Sequence, residues 1–247
     1  MKLINLNAEC GVFYEPLMEF IKKHSADTEI FCFQEVFNNP KIVSPILKNP
    51  RLNLFSEIQE ILADFNSFHV PADQGYFGGL AIFINKSFTV NKIENFILFE
   101  ELNIIDDEKD KNYFAMGRNL QKLEFNHDGK IFTILNFHGM WIVEGKRDTK
   151  MRILQSEKVR KIFDKSKGAK ILCGDLNIER DTESMAILDK GNRNLIKEYD
   201  INSTRSSFAE KSDVVDYIVV SPKVEVIDFK ILQNEVSDHL PLFLEFN

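Results

Sequence analysis

Ile171-Leu172-Cys173-Gly174-Asp175-Leu176-Asn177 is the stretch on which the reading of this chain turns. A short apolar run stops at a glycine and then presents an Asp and an Asn two positions apart. The run suits a buried strand, and Gly174 lets the backbone turn where a side chain would obstruct it. Asp175 and Asn177 therefore fall where a strand gives way to a loop, the place where scaffolds carry chemistry. An Asp can orient a water or take its proton, and an Asn offers that water both a donor and an acceptor. Taken alone, Gly-Asp-x-Asn also describes an ordinary turn. What separates the two readings is whether other strands end in the same chemistry.

They do. Toward the N-terminus, Ile131 to Phe137 follows the His127-Asp128-Gly129 turn as the second arm of a hairpin and ends at His138. Its first arm, Arg118 to Phe125, alternates polar and apolar residues. Leu80 to Ile84 reads as a buried strand and Phe88 to Phe99 as strand pairing. Ile30 to Phe33 ends at Gln34-Glu35, and Leu3 to Leu6 ends at Asn7-Ala8-Glu9. An acid placed after four apolar residues is costly to keep ionised without a partner or a metal. Toward the C-terminus, Val214 to Val220 is interrupted by Asp216, for which a histidine is the natural partner. Val224 to Leu232 continues the sheet, and Ser237-Asp238-His239 precedes the last strand, Leu242 to Phe246.

Helical periodicity fills the intervals. It predicts helices over Tyr14 to His24, Leu52 to Phe65 and Met151 to Lys165, and a short one after Thr182 as N-cap. Gly75 to Gly79 lacks the Lys-Ser/Thr of a phosphate-binding loop, and Asp106 to Lys111 reads as a solvated charged loop. No repeat or low-complexity linker divides the chain. Strands that alternate with helices in places and pair as hairpins elsewhere suggest a two-sheet α/β (α+β) sandwich covered by helices, one domain over 1–247.

Composition narrows the class. A chain of 247 residues, 44% hydrophobic and with 22 Phe, can bury one large Phe-rich core. Cys10, Cys32 and Cys173 lie beside apolar runs without CxxC spacing, which points to reduced core thiols in a cytoplasmic protein. The N-terminus turns polar too early for a signal peptide, and no apolar run reaches membrane-spanning length. A net charge of −7 provides no global reason to expect nucleic acid or an anionic membrane as partner, although acids clustered around a metal would also push it this way.

The strand ends together carry Asn7, Glu9, Glu35, His138, Asp175, Asn177, Asp216, Asp238 and His239. Hard oxygen donors suit Mg²⁺ or Mn²⁺ rather than zinc. A hard cation on a phosphoryl oxygen, a positioned water and a cationic His describe metal-assisted phosphoester hydrolysis. Asn7-x-Glu9, Gln34-Glu35, Asn136-Phe137-His138, Arg152-x-x-Gln155, Gly174-Asp175-x-Asn177, Asp216-Tyr217-Ile218 and Ser237-Asp238-His239, in that order along the whole chain, resemble the endonuclease/exonuclease/phosphatase superfamily.

The resemblance implies a four-layer sandwich of two mixed β-sheets covered by helices, with the site at the top of the sheets. Carried over by position, it makes Glu35 the principal Mg²⁺ ligand, helped by Asn7 or Glu9 and with Asp238 as a further candidate. It makes Asp175, beside Asn177, the residue that orients or deprotonates the attacking water. His239, oriented by Asp216, stabilises phosphoryl charge, and His138 flanks the phosphate from the other side. Relatives often pair that last histidine with an acid from the middle strand, whereas Phe77-Gly78-Gly79-Leu80 offers none here; Glu9 stands where many have Asp.

Three functions compete on this reading. The first is a metal-dependent phosphodiesterase, a nuclease or nucleic-acid end-processing enzyme. The second is a phosphatase of a small phosphorylated metabolite or lipid headgroup, and the third an inactive binding module, which would require a lost site residue that we do not find. Setting aside Glu9, Glu35, Asp175, Asp216 and Asp238 leaves 33 Asp and Glu against 31 Lys and Arg, so the grip on substrate is expected to be local. Arg118 and Arg205 are the candidate phosphate contacts, and Trp141 is a candidate for stacking a base. An ordinary Ser-rich turn and a loop-anchoring Trp are the plain alternatives for Arg205 and Trp141. We expect a monomer that takes a phosphate ester, nucleic acid included, away from membranes.

Overall fold

The central apolar runs become strands buried on both faces, which is why they read as continuous rather than alternating. A computed structural model of the chain describes residues 1–38, 49–71, 78–99, 118–141 and 145–247. In chain order the strands are β1 (Lys2–Asn7), β2 (Ile30–Val36), β3 (Phe65–Val70), β4 (Gly79–Asn85), β5 (Thr89–Phe99), β6 (Arg118–His127), β7 (Lys130–Phe137), β8 (Ala169–Asp175), β9 (Arg193–Asn194), β10 (Asp216–Val220), β11 (Val226–Ile231) and β12 (Leu242–Phe246). The helices are α1 (Tyr14–His24), α2 (Leu54–Ile61), α3 (Lys150–Lys165), α4 (Glu183–Asp189) and α5 (Leu195–Glu198).

Among the described residues, these strands form two six-stranded sheets, ordered β11-β12-β1-β2-β4-β3 and β5-β6-β7-β8-β10-β9. Each sheet is mixed: β1–β2 and β7–β8 are parallel, and the other neighbours are antiparallel. Leu3, Ile30, Cys32 and Ile82 of the first sheet join Phe125, Phe132 and Ile134 of the second in one core. Alternate residues of the same strands, Ile4, Phe31, Phe33 and Phe83, pack with Leu17, Phe20 and Ile21 of α1 and Leu54 and Ile58 of α2. Val159 and Phe163 of α3 and Met185 and Leu188 of α4 are buried with the second sheet. Phenylalanines knit these layers, as with Phe132 and Phe246 at 5.8 Å between centroids across the sheets.

One break in the apolar interior lies directly below the site. Gln34 Nε2 donates to Asn5 Oδ1 (2.9 Å) and to Asn136 Oδ1 (2.6 Å). Asn136 Nδ2 in turn donates to the carbonyls of Phe33 (3.1 Å) and Ala81 (3.2 Å). All three amides are fully buried, so their bonds tie β7 of one sheet to β1, β2 and β4 of the other. A buried polar network that spans both sheets favours a single docking of them.

Strand direction gathers the strand ends. β1 and β2 run parallel, so Asn7 and the Gln34-Glu35 pair emerge at the same edge. β7 and β8 likewise deliver His138 and Asp175 together. β10 is antiparallel to β8 with Asp216 opposite Asp175, so its first residue meets the last residue of β8. β12 is antiparallel to β1, which brings the preceding Asp238-His239 turn to the edge where Asn7 lies. At Gly174 φ is +146°, and an added Cβ would stand 1.8 Å from the Phe137 carbonyl oxygen, so only glycine admits this approach of β7 to β8.

Four expectations need adjustment. Helix α2 ends at Ile61, and Phe65 opens β3 instead of closing the helix. There a cross-strand place beside β4 outweighs the helical spacing of the apolar residues. Val214 and Val215 precede β10 rather than belonging to it. Residues 226–231 do not continue the sheet of β10 but cross to the other one, against β12. Glu35 lies inside β2, not after it: the register shifts between Phe33 and Val36, and Glu35 has φ +57°. That bulge turns an acid toward the site while the strand continues. Most of the Gly75–Gly79 turn and the charged loop 106–111 lie outside the described residues.

Candidate active site

Asp175 is the centre of the arrangement. Its Oδ1 accepts from the Asn177 backbone N–H (3.0 Å), and Oδ2 accepts from Asn7 Nδ2 (3.1 Å). The same Oδ2 lies 3.5 Å from His138 Nε2 and 3.7 Å from His239 Nε2. Asn7 Nδ2 also donates to Glu35 Oε1 at 3.1 Å, and that oxygen lies 3.7 Å from His138 Nε2. One amide thus links two carboxylates from different sheets. His138, which the resemblance leaves without an acid, faces both of them.

The Asn7 side-chain oxygen accepts from Glu9 N (3.0 Å), so its nitrogen, not its oxygen, is turned toward the carboxylates. Asn7, expected among the metal ligands, here stands as an orienting donor. Glu9 Oε2 in turn accepts from the Asp238 backbone N–H at 2.9 Å. Glu9, Cys10, Glu35 and Asn177 all have positive φ, so backbone in an uncommon region clusters at this edge. Cys10 Sγ contacts Glu35 Oε2 at 3.6 Å.

Asp216 receives the His239 Nδ1 bond on Oδ2 (2.8 Å), with Oδ1 at 3.0 Å. Thr204 Oγ1–H donates to the same Oδ2 (2.7 Å) and accepts from the Val215 and Asp216 backbone N–H groups at 3.2 Å each. Ser237 Oγ accepts from His239 N at 3.2 Å. The imidazole is therefore held at its backbone and at Nδ1, with Nε2 turned toward Asp175 and Arg205. Arg205 Nη1 lies 3.1 Å from Asp238 Oδ2 and contacts His239 Nε2.

The loop after His138 is held from below. Gln155 Oε1 accepts from Met140 N (3.0 Å), while Arg152 donates to the carbonyls of Gly145 and Arg147 at 2.6 Å each. The Arg152-x-x-Gln155 pair is thus a buried anchor for this loop. Trp141, next to Met140 in this loop, is 40% exposed. Arg118 opens β6 at the edge where His138 leaves β7, since Leu120 pairs with Phe137; its side chain lies outside the described residues.

Burial and like charge set the titration. Burial pushes Glu9 up to about 7, reinforced by the charge of Asp238. Burial likewise raises Glu35 to about 7, against the Asn7 hydrogen bond and with the charge of Asp238. Asp175 is raised by burial and by the charge of Asp216, and His239 opposes the rise. For His239 burial acts downward, yet Asp216, Asp238 and Asp175 carry it up to about 9. Crowded hard-oxygen acids whose ionisation is suppressed are a setting that a divalent cation relieves, so this donor set fits Mg²⁺ or Mn²⁺.

Asp175, Asp216 and His239 also bring one ligand atom each within 4.8 Å of one another. Both Asp216 oxygens are engaged by His239, and one by Thr204 as well, so we read that trio as a hydrogen-bonded group and Glu35 as the better seat for a cation.

These shifts predict a pH dependence. Below about 7 Glu9 and Glu35 hold protons, so Mg²⁺ affinity should fall steeply as pH drops through that value. Without metal, both groups bind more protons folded than unfolded between 4.5 and 7, and His239 does so between 6.5 and 9. The unfolding free energy from these groups therefore declines as pH rises through both windows. Calorimetry in chelator should show Tm falling from pH 5 to 9, with added Mg²⁺ raising Tm at pH 8 and having no effect at pH 5. A Mg²⁺ increment at pH 5 equal to that at pH 8 would contradict the assignment.

Thr204 and Cys10 were not legible as contributors. Thr204 sits in a polar loop with no periodicity, and only its proximity to Asp216 reveals its part. Cys10 reads as a core thiol, and it is one: all three cysteines are free and buried.

The model of the Endonuclease/Exonuclease/phosphatase family matches residues 4–239. No curated protein matches the chain. Among solved structures, the mannosyl-6-phosphatase of Bacteroides thetaiotaomicron VPI-5482 superposes with a TM-score of 0.74 at 20% identity, covering 100% of this chain and 99% of that one. The endonuclease/exonuclease/phosphatase from Bacteroides vulgatus gives 0.75 at 19% identity, covering 100% and 98%. D. rerio TDP2, in a complex with a single-strand DNA product, gives 0.75 at 14% identity, again covering 100% and 98%. At these identities the superpositions show a shared fold. By its sequence match from residue 4 to residue 239, this chain belongs to the endonuclease/exonuclease/phosphatase family.

Proposed function

We propose that the protein is a divalent-metal-dependent phosphoesterase that hydrolyses phosphodiester bonds, acting as a nuclease or nucleic-acid end-processing enzyme. The observation that carries the proposal is the meeting of Asp175 Oδ2 with two imidazoles, His138 at 3.5 Å and His239 at 3.7 Å, beside the partly buried Glu35. Glu35, with Glu9 and Asp238, would hold Mg²⁺ or Mn²⁺. When bound, such an ion draws charge from a phosphoryl oxygen. Asp175 accepts the proton of the attacking water, its other oxygen being fixed by Asn177. His239 remains protonated at neutral pH and donates from Nε2 to the phosphoryl group, while Asp216 and Thr204 hold its far side. His138 donates to the phosphate from the side of Glu35.

Among the described residues the site holds many acids and few cations, which supports a grip on one or two phosphates, as at the end of a strand. The exposed Trp141, projected from a loop anchored by Arg152 and Gln155, supports a substrate that carries a base. The second reading, a phosphatase of a small phosphorylated metabolite or lipid headgroup, draws on the shared fold with a mannosyl-6-phosphatase. Among the described residues no helix is long and apolar enough to cross a membrane. Three free buried thiols support a cytoplasmic setting.

The test is a panel of single-stranded, duplex and damaged DNA, RNA and phosphorylated small molecules, with Mg²⁺ or Mn²⁺. Cleavage of a short single strand, with KM depending only weakly on salt, is the expected result. A log–log slope near −0.9 times about six phosphates would reveal an extended basic track and reject local grip. Turnover confined to small monoesters would favour the second reading.

A further inference from the structure

Segment 204–206 runs beside the Asp238-His239-Leu240 turn in a single antiparallel bridge. Ser206 N donates to the Asp238 carbonyl (3.0 Å), Leu240 N donates to the Thr204 carbonyl (2.8 Å), and Arg205 bridges to His239. This pairing fixes the Arg205 backbone at the site, and its side chain is only 17% exposed. Nη1 takes Asp238 Oδ2 at 3.1 Å and contacts His239 Nε2. Nε lies 3.4 Å from Asp213 Oδ1, yet both atoms are buried without a hydrogen bond. The other Asp213 oxygen is held by Lys146 Nζ at 2.7 Å.

The guanidinium is therefore placed by its backbone while its fork of five donors is only partly used. The carboxylate it does hold, Asp238, is one of the three acids that the proposed function assigns to the cation, and its charge acts on both of the others, Glu9 and Glu35. Arginine and a cation compete for one carboxylate, and each weakens the hold of the other by the same factor. A displaced guanidinium has the planar geometry that matches two phosphoryl oxygens.

We propose that Arg205 is a metal-coupled phosphate clamp: it neutralises Asp238 in the metal-free protein and passes its guanidinium to the substrate's phosphate when a divalent cation takes that carboxylate. The clamp rests on the metal-dependent phosphoesterase reading. It makes the phosphate site complete only after the metal has bound.

The experiment is calorimetric titration of the full chain with Mg²⁺ alone, then of the Mg²⁺-loaded protein with inorganic phosphate, for wild type, R205M and R205K. R205M should bind Mg²⁺ about tenfold more tightly, since a fixed positive charge has gone from beside Asp238. It should bind phosphate at least about tenfold more weakly, the usual worth of a charge-assisted contact. R205K should keep wild-type Mg²⁺ affinity and lose part of the phosphate affinity, because it keeps the charge without the fork. Unchanged or weaker Mg²⁺ binding in R205M, or wild-type phosphate binding, overturns the clamp. If R205M fails to fold, R205K decides: undiminished phosphate affinity overturns the proposal, and reduced affinity with wild-type Mg²⁺ binding supports it. A wild-type protein that binds no Mg²⁺ would bring down the metal reading and the clamp together, an outcome distinct from failure of the clamp alone.

Discussion

Glu35→Gln is expected to lower Mg²⁺ affinity, and turnover at limiting Mg²⁺, by about 10²-fold or more, the scale set by losing a charged ligand to a hard cation. The replacement is isosteric, and its carbonyl oxygen can still accept from Asn7 Nδ2 as Glu35 Oε1 does at 3.1 Å. What it removes is a charge that burial disfavours, since Glu35 titrates at about 7. Near neutral pH the metal-free variant should therefore be no less stable than wild type, and its Tm in chelator should match or exceed the wild-type value. Loss of metal affinity without loss of stability separates a ligand from a structural acid. Wild-type turnover at limiting Mg²⁺ would show that the cation sits elsewhere.

Asp175→Asn should reduce kcat by about 10²–10⁴-fold, the usual worth of general-base assistance. It keeps shape and the Asn177 contact but leaves no acceptor of comparable basicity beside the two imidazoles. His239→Ala should cost a similar amount, because the cation aimed at the phosphoryl group goes with it. Asp216→Asn should cost less, since it leaves the imidazole in place, with Asp238 and Asp175 still favouring its protonated form and Thr204 still beside position 216. The measurement is kcat at saturating Mg²⁺ for the three variants, with folding checked by near-UV circular dichroism. If Asp216→Asn costs more than His239→Ala in a folded protein, that ranking is wrong. The double variant of Asp175 and His239 should lose much less than the product of the single losses, because groups acting in one step are not additive.

Most elements of this molecule are readable from local pattern. The Tyr14 to His24 spacing gives α1 to the residue, and Thr182 caps α4 by accepting from Met185 N at 3.2 Å. Such features depend on neighbours in the chain, so composition and spacing carry them. Phe65 shows where this ends: its spacing fits α2, but a partner on β4, distant in sequence, claims it for a strand. The crossing of residues 226–231 to the other sheet has the same cause.

By itself the sequence determined the kinds of donor at the strand ends, the sandwich class and the order of the motifs, because apolar period, glycine breaks and polar strand termini are local properties. Which acid faces which base was decided only by the tertiary structure. Asn7 turns its nitrogen to Glu35 and Asp175, Thr204 joins the Asp216–His239 pair, and Arg205 lies on Asp238. Asn7 and Asp175 are 168 positions apart, and Glu9 and Asp238 are 229 apart. Contacts at such separations follow from strand order and direction and from the register of two sheets clamped by Gln34 and Asn136, none of which a local pattern encodes.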